Sequence, residues 1–218
     1  MTGFSFACTG VRADRYAAGP TLVLRLRITA SPGKRVHAMV LHCQIRIEPA
    51  LRGYADPEAA RLADLFGERS RWGSTLKPLQ FAQVSLTVPA FTGGTEADLA
   101  VPCTYDTDVA ASRYFEALED GEVPLLLLFS GTAFTGAAGF RVEPVPWDRE
   151  ATCRMPVAVW REMLEQHFPG TGWIRLSRDA MDALLGFRSG RALPSWEATV
   201  RALLEEAGAS PAAGRVPR

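Results

Sequence analysis

The sequence predicts an α+β protein: a mainly antiparallel β-sandwich or strongly curved sheet with C-terminal helices packed against it. Three observations carry that expectation. The run from Val123 to Phe134 is apolar on both faces of a strand, so it reads as the central strand of a sheet covered on both sides. Period-two alternation recurs through the segments before it. After Pro144-Val145-Pro146-Trp147 the pattern changes to helical stripes, opened by Pro156, Ser177 and Ser195.

The first strand is expected around Phe4, Phe6 and Cys8, which alternate with small residues. Leu22, Leu24, Leu26 and Ile28 alternate with Val23, Arg25, Arg27 and Thr29, the even positions facing inward. Ser31-Pro32-Gly33-Lys34 turns the chain. Met39, Leu41, Cys43, Ile45 and Ile47 then face in while His42, Gln44 and Arg46 face out, and the two runs are expected to form an antiparallel hairpin ending at Pro49. Asp56-Pro57-Glu58 reads as a helix start, with Asp56 capping and Pro57 in the first turn. Leu62, Leu65 and Phe66 give that helix one apolar stripe, and Gly67 stops it. The loop Arg69-Ser70-Arg71-Trp72-Gly73-Ser74-Thr75 completes a long connection to about Leu79, of a kind that often carries function or covers a sheet edge.

Strands resume with Ala82, Val84, Leu86 and Val88, turn at Phe91-Thr92-Gly93-Gly94, and continue with Ala97, Leu99, Val101 and Cys103. A second helix is expected from about Asp108 through Phe115 and Leu118 to Asp120-Gly121, feeding the central strand. A short strand from Phe140 to Val142 follows. The last third carries Val159, Trp160, Met163, Leu164 and His167 on one helix, Met181, Leu184 and Leu185 on a second, and Val200, Leu203 and Leu204 on a third. These helices are too short a segment for a core of their own and are expected to dock on the sheet. The expected organisation is an antiparallel β domain with two helical insertions over 1–150, a docked helical extension over 151–206, and a disordered tail over 207–218 of Ala, Gly, Pro and Arg. A single curved antiparallel sheet with helices on one face, as in a peptide-binding chaperone, fits the same pattern.

Composition bounds the function. With 24 basic and 24 acidic residues the net charge is zero, which argues against nucleic acid or an anionic membrane as partner. The apolar fraction of 47% is that of a soluble globular protein. The start Met1-Thr2-Gly3-Phe4 lacks a signal-peptide pattern, and no apolar run approaches the ~20 residues of a membrane span. A cytoplasmic location follows as the expectation. Cys8, Cys43, Cys103 and Cys153 are widely spaced, form no C-x-x-C pair, and read as small, reduced, buried hydrophobes.

No catalytic, cofactor-binding or metal-binding set emerges. His42 and Cys43 are adjacent on a strand and point to opposite faces, so they cannot share a metal without a bulge. Asp106-Thr107-Asp108 with Glu116, Glu119 and Asp120 matches no calcium loop and reads as caps and turns. Ser130-Gly131 lacks the frame of a nucleophile elbow. Gly93-Gly94 and Gly170-Thr171-Gly172 lack the lysine of a phosphate loop and read as turns. Two clusters are left as candidates. Arg69, Arg71 and Trp72 place guanidinium groups beside an aromatic ring, chemistry suited to holding a carboxylate, a phosphate or a partner protein. Phe129, Trp160 and Trp173 are the expected lining of an apolar pocket between the sheet and the C-terminal helices.

Several strings resemble an uncharacterised bacterial family classed as a domain of unknown function: Ile45-Arg46-Ile47-Glu48-Pro49, Trp72-Gly73-Ser74-Thr75-Leu76-Lys77-Pro78-Leu79, Val101-Pro102-Cys103-Thr104-Tyr105-Asp106, Asp120-Gly121-Glu122-Val123-Pro124-Leu125 and Val145-Pro146-Trp147-Asp148. The resemblance covers about residues 1 to 206 and transfers no functional residue. It implies encoding near nickel-iron hydrogenase structural and accessory genes, and with it an accessory, assembly or scaffold role. The expected function is therefore a non-enzymatic accessory protein that binds another protein, in hydrogenase assembly, with no cofactor. The alternative is a small-ligand binding module that uses the Phe129, Trp160 and Trp173 pocket. The oligomeric state is not fixed by the sequence.

Overall fold

Alternation along the strands sorts the side chains into two sheets that share one apolar core. In the computed structural model, residues 3–103, 109–136, 139–170, 174 and 176–209 are described. Strands β1 (Phe4–Ala13), β2 (Thr21–Ala30) and β6 (Gly94–Pro102) form a three-stranded antiparallel sheet in the order β1-β2-β6. Strands β3 (Arg35–Ile47), β4 (Leu79–Val88), β7 (Glu122–Thr135) and β8 (Arg141–Pro156) form the second sheet in the order β4-β3-β7-β8, and the short β5 (Phe91–Thr92) pairs with the start of β3.

The two sheets pack face to face, with β1 beside β8 and β6 beside β4. Leu22, Leu24, Leu26 and Ile28 from one sheet and Met39, Leu41, Ile45, Ile47, Leu125 and Leu127 from the other fill the space between them, all fully buried. Each such side chain contributes about 1.5–3 kcal/mol relative to exposure. The sandwich is thus realised and the single curved sheet is not.

Three expectations change. The segments 22–29 and 39–47 do not form a hairpin: β2 pairs with β1 and β6, while β3 pairs with β4, β5 and β7. Alternation reports which side chains are buried and not which strand lies alongside, and both strands bury the same kind of face against the same core. The turn Ser31–Lys34 therefore carries the chain from one sheet to the other. β7 is central, between β3 and β8, but its covering is one-sided: the odd positions from Val123 to Phe129 are buried, whereas Leu126 and Leu128 face outward and are half-buried. β8 is long and runs through Pro144, Pro146 and Trp147, so the boundary expected at 150/151 falls within a strand.

The helices sit where strands end. The first connection holds α1 (Asp56–Arg61), α2 (Ala63–Phe66) and α3 (Trp72–Thr75), with a 3-10 turn over Arg69–Arg71 in place of an open loop. Ala55, not Asp56, is the N-cap of α1, and the Glu58 carboxylate reaches back to accept its N–H at 3.2 Å. α4 (Val109–Ala117) packs on β4, and α5 (Val157–His167), opened by Pro156, packs on β1, β2 and β8. Phe115 from α4 and Trp160 from α5 stack at 4.2 Å, with Phe81 of β4 edge-on to both.

The chain divides into two compact units, residues 1–171 and 172–218. The second contains α6 (Arg178–Gly190) and α7 (Trp196–Glu206), which pack on each other. Ser177 and Ser195 cap them as expected, each side-chain oxygen accepting the N–H three residues on. Residues 207–209 close α7 through backbone hydrogen bonds, and the rest of the expected tail, 210–218, lies outside the described residues. No helix among the described residues is long and apolar enough to cross a membrane.

Candidate functional site

The Arg69, Arg71 and Trp72 cluster is not an exposed aromatic beside free guanidinium groups. Trp72 is 7% exposed; its indole packs edge-on against Tyr54 at 5.1 Å and Phe66 at 6.4 Å, and its Nε1 donates to the Gly67 carbonyl at 3.0 Å. Arg69 pairs with Asp56 and donates to the Tyr54 carbonyl. Arg71 is exposed, and its carbonyl accepts the Ser74 and Thr75 hydroxyls. The physical reason is the 3-10 turn, which rotates the indole into the aromatic group formed by Tyr54, Phe66 and Tyr114. In that group the Tyr54 and Tyr114 hydroxyls share a hydrogen bond at 2.7 Å, and burial raises the pKa of both phenols.

The two described residues of the expected pocket, Phe129 and Trp160, do not share a cavity. Phe129 is 1% exposed and stacks on Phe6 at 4.4 Å in the core between the sheets. Trp160 is 5% exposed and belongs to the aromatic stack with Phe115. Each ring is covered by its own partners, so these two line no common cavity. Trp173 lies outside the described residues, as do Asp106-Thr107-Asp108 and Thr171-Gly172. Among the described residues no group of His, Cys, Asp and Glu is placed to hold a metal ion.

The structure instead presents a cleft on the outer face of the larger sheet, about 590 Å³ in volume. Three strands and one bulge build it. β3 supplies His42 and Gln44, β4 supplies Gln83 and Ser85, and β7 supplies Leu128 and Ser130. His42 sits opposite Ser85 on one side and Ser130 on the other, and its Nδ1 lies 2.9 Å from the Ser85 hydroxyl. That partner is a hydroxyl and not a carboxylate, so the group lacks the oriented base that a hydrolytic triad needs. The β7–β8 register breaks between Phe129 and Gly131, where Phe129 faces Arg149 and Gly131 faces Val145. The extra β8 residues bulge outward and carry Trp147 to the cleft wall, 86% exposed.

Charge distinguishes the outer face of the smaller sheet from the cleft on the larger one. The smaller sheet is laced by cross-strand ion pairs, Arg12–Asp98 at 2.9 Å, Arg25–Asp98 at 3.3 Å and Arg27–Glu96 at 2.9 Å. Such a face is fully solvated and well served by water. The cleft on the larger sheet is lined by no Asp, Glu, Lys or Arg. The cleft sets an exposed indole beside a floor of Leu, Ser, His and Gln. Further along the same sheet Phe140 is exposed, stacked on His37 at 5.0 Å and edge-on to Phe134. Alternation does not place Trp147 on the sheet, because the bulge interrupts it and Pro144 and Pro146 read as a boundary.

Comparisons with known proteins place the chain without assigning it a role. A family model described as a family of unknown function, DUF6084, matches residues 1–212. A comparison with the curated proteins gives no match. Among solved structures the chain is similar to IrmA from Escherichia coli, with a TM-score of 0.33 and 10% identity over 67% of this chain and 86% of that one. It is also similar to a putative late embryogenesis abundant protein, with a TM-score of 0.32 and 12% identity over 70% of each chain. A beta-glucosidase from Kluyveromyces marxianus matches with a TM-score of 0.25 and 9% identity, over 71% of this chain and 15% of that enzyme. At these values no property passes from those proteins to this chain.

Proposed function

The chain belongs to the DUF6084 family, and on that premise we propose that it is a non-enzymatic accessory or scaffold protein that binds another protein across the outer face of its larger sheet. The observation that carries this reading is the uncharged cleft with Trp147 standing at its wall. A large, rigid, solvent-exposed ring beside a shallow neutral floor is what a binding hot spot requires before a partner covers it. The edge of the same sheet supports docking by the face and not by strand addition. Pro144 and Pro146 remove N–H donors from edge strand β8, which blunts it as a template for an added strand. The setting we propose for that partner is the assembly of a nickel-iron hydrogenase.

The small-ligand alternative is the second reading; of its three residues Phe129 stacks on Phe6, Trp160 stacks on Phe115, and Trp173 lies outside the described residues. Affinity purification of the tagged chain from its native host, followed by mass spectrometry, tests the proposal. Recovery of hydrogenase subunits or maturation factors on the wild-type chain, and their loss on a folded Trp147→Ala variant, is the expected result. A partner-free monomer would overturn the binding role. Capture of an unrelated protein through Trp147 would overturn only the hydrogenase setting.

A further inference from the structure

Two cysteines far apart in sequence meet at one edge of the sandwich. Cys8 on β1 and Cys153 on β8 are separated by 145 positions, yet their sulfurs lie 2.8 Å apart. A disulfide bond spans about 2.05 Å, so a small adjustment closes the remaining gap. The strands that carry them belong to different sheets and run side by side at the sandwich edge. The β1 ladder breaks its register between Cys8 and Gly10, immediately beside this contact. Cys8 is half-buried, so a small oxidant reaches it, whereas Cys153 is buried behind it.

We propose that Cys8 and Cys153 are a redox-active thiol pair that closes to an intersheet disulfide when it meets a low-molecular-weight disulfide. The Cys8 thiolate attacks one sulfur of the external disulfide and releases one thiol, leaving a mixed disulfide on Cys8. Cys153 loses its proton, attacks the Cys8 sulfur and releases the second thiol. In sum, two protein thiols lose two electrons and two protons, and the external disulfide becomes two thiols. The order of events follows from the site. The adjacent Cys153 thiol, hydrogen-bonded to Cys8, holds Cys8 below the ordinary thiol range against the opposing effect of burial. Cys153 is pushed up by Cys8 beside it and by burial, which suits the resolving and not the attacking role. The other two thiols do not compete: burial raises Cys43 and Cys103 to about 12 each.

The test uses the full chain and oxidised glutathione as the probe. Thiol titration in denaturant, before and after the folded protein is treated, is expected to fall by two of the four cysteines. Tryptic mapping is expected to show the peptide 1–12 joined to the peptide 150–154. Clipping the two sheets together is expected to raise the thermal midpoint by roughly 5–10 °C over the reduced form. Cys153→Ser is expected to stop at a glutathione adduct on Cys8. Four persistent thiols, a wild-type chain that keeps a glutathione adduct on Cys8 without the crosslink, or joining of 1–12 to the Cys43 peptide 36–46 would each overturn the proposal. The mapping on wild-type protein needs no variant to fold.

Discussion

Gly131 lies against the backbone of Val40, so close that a β-carbon added to Gly131 would run into the Val40 carbonyl and sit 3.1 Å from the Leu41 Cα. Its φ of 149° is one that side-chain-bearing residues rarely adopt. This contact stands at the register break from which Trp147 is presented, so the central strand and the cleft wall depend on the same glycine. Gly131→Ala is expected to destabilise the protein by about 2 kcal/mol or more, through clash and backbone strain together. Urea denaturation of the two proteins measures it. An alanine variant as stable as wild type would show that the bulge relaxes freely.

Arg52 and Glu58 form an ion pair at 2.6 Å with both side chains nearly buried. Glu58 also accepts the backbone N–H groups of Ala55 and Glu119, and Arg52 donates to the Asp120 carbonyl. The pair therefore ties the first helical connection to the turn that starts β7. Removing one member leaves the other buried and charged, which costs about 3–5 kcal/mol. Glu58→Ala is expected to lose that much in chemical denaturation. The double variant Arg52→Met with Glu58→Met is expected to lose less than Glu58→Ala alone, since no uncompensated charge is left inside. A double variant worse than the single one would show that the hydrogen bonds, and not the buried charges, dominate.

Much of the fold is legible in the residues themselves. The odd-even patterns of β2, β3 and β6 give the buried face, Val23 apart, because burial is a local consequence of the pleat, whereas the unbroken apolar run of β7 hides which of its faces is open. Pro156, Ser177 and Ser195 give the helix starts, because capping is settled within one turn. Strand partners were not legible: the same inward pattern serves a hairpin neighbour and a strand in the facing sheet, which is why β2 and β3 read as paired. The site was harder still. Trp72 and Trp147 are the same residue type in loop-like surroundings, and one fills an aromatic core while the other stands in solvent. What separates them is a 3-10 turn in one case and a β-bulge in the other.

That difference between the two tryptophans is measurable. Trp72→Ala removes a ring packed on Tyr54 and Phe66 and is expected to cost about 3–5 kcal/mol. Trp147→Ala removes a ring that is largely in water and is expected to change stability by less than about 0.5 kcal/mol. Arg71→Ala, on an exposed side chain, is expected to behave like Trp147→Ala. Thermal or urea unfolding of the three variants decides it. Equal losses at Trp72 and Trp147 would mean that Trp147 is held in the folded chain by contacts of its own.

Lys34 and Glu143 couple the start of β3 to the start of β8. The ammonium pairs with the carboxylate, the Thr135 hydroxyl donates to the same carboxyl at 2.8 Å, and Lys34 also lies 4.5 Å from the centre of the Phe4 ring. The Lys34 hydrogen bond, helped by Thr135, holds the Glu143 carboxyl below the usual glutamate range despite partial burial. A group whose folded pKa is lowered contributes its full stability above its unfolded pKa, about 4.3 for Glu, and loses it as pH falls through the folded value. Glu143→Gln is therefore expected to be less stable than wild type by roughly 1–2 kcal/mol at pH 7, where the charged hydrogen bonds are intact. The gap is expected to narrow steadily below about pH 4, as the wild-type carboxylate takes up its proton and comes to resemble the amide. Denaturation midpoints of both proteins across that range give the difference directly. A gap that stays constant with pH would show that the pair acts through shape and packing and not through its charge.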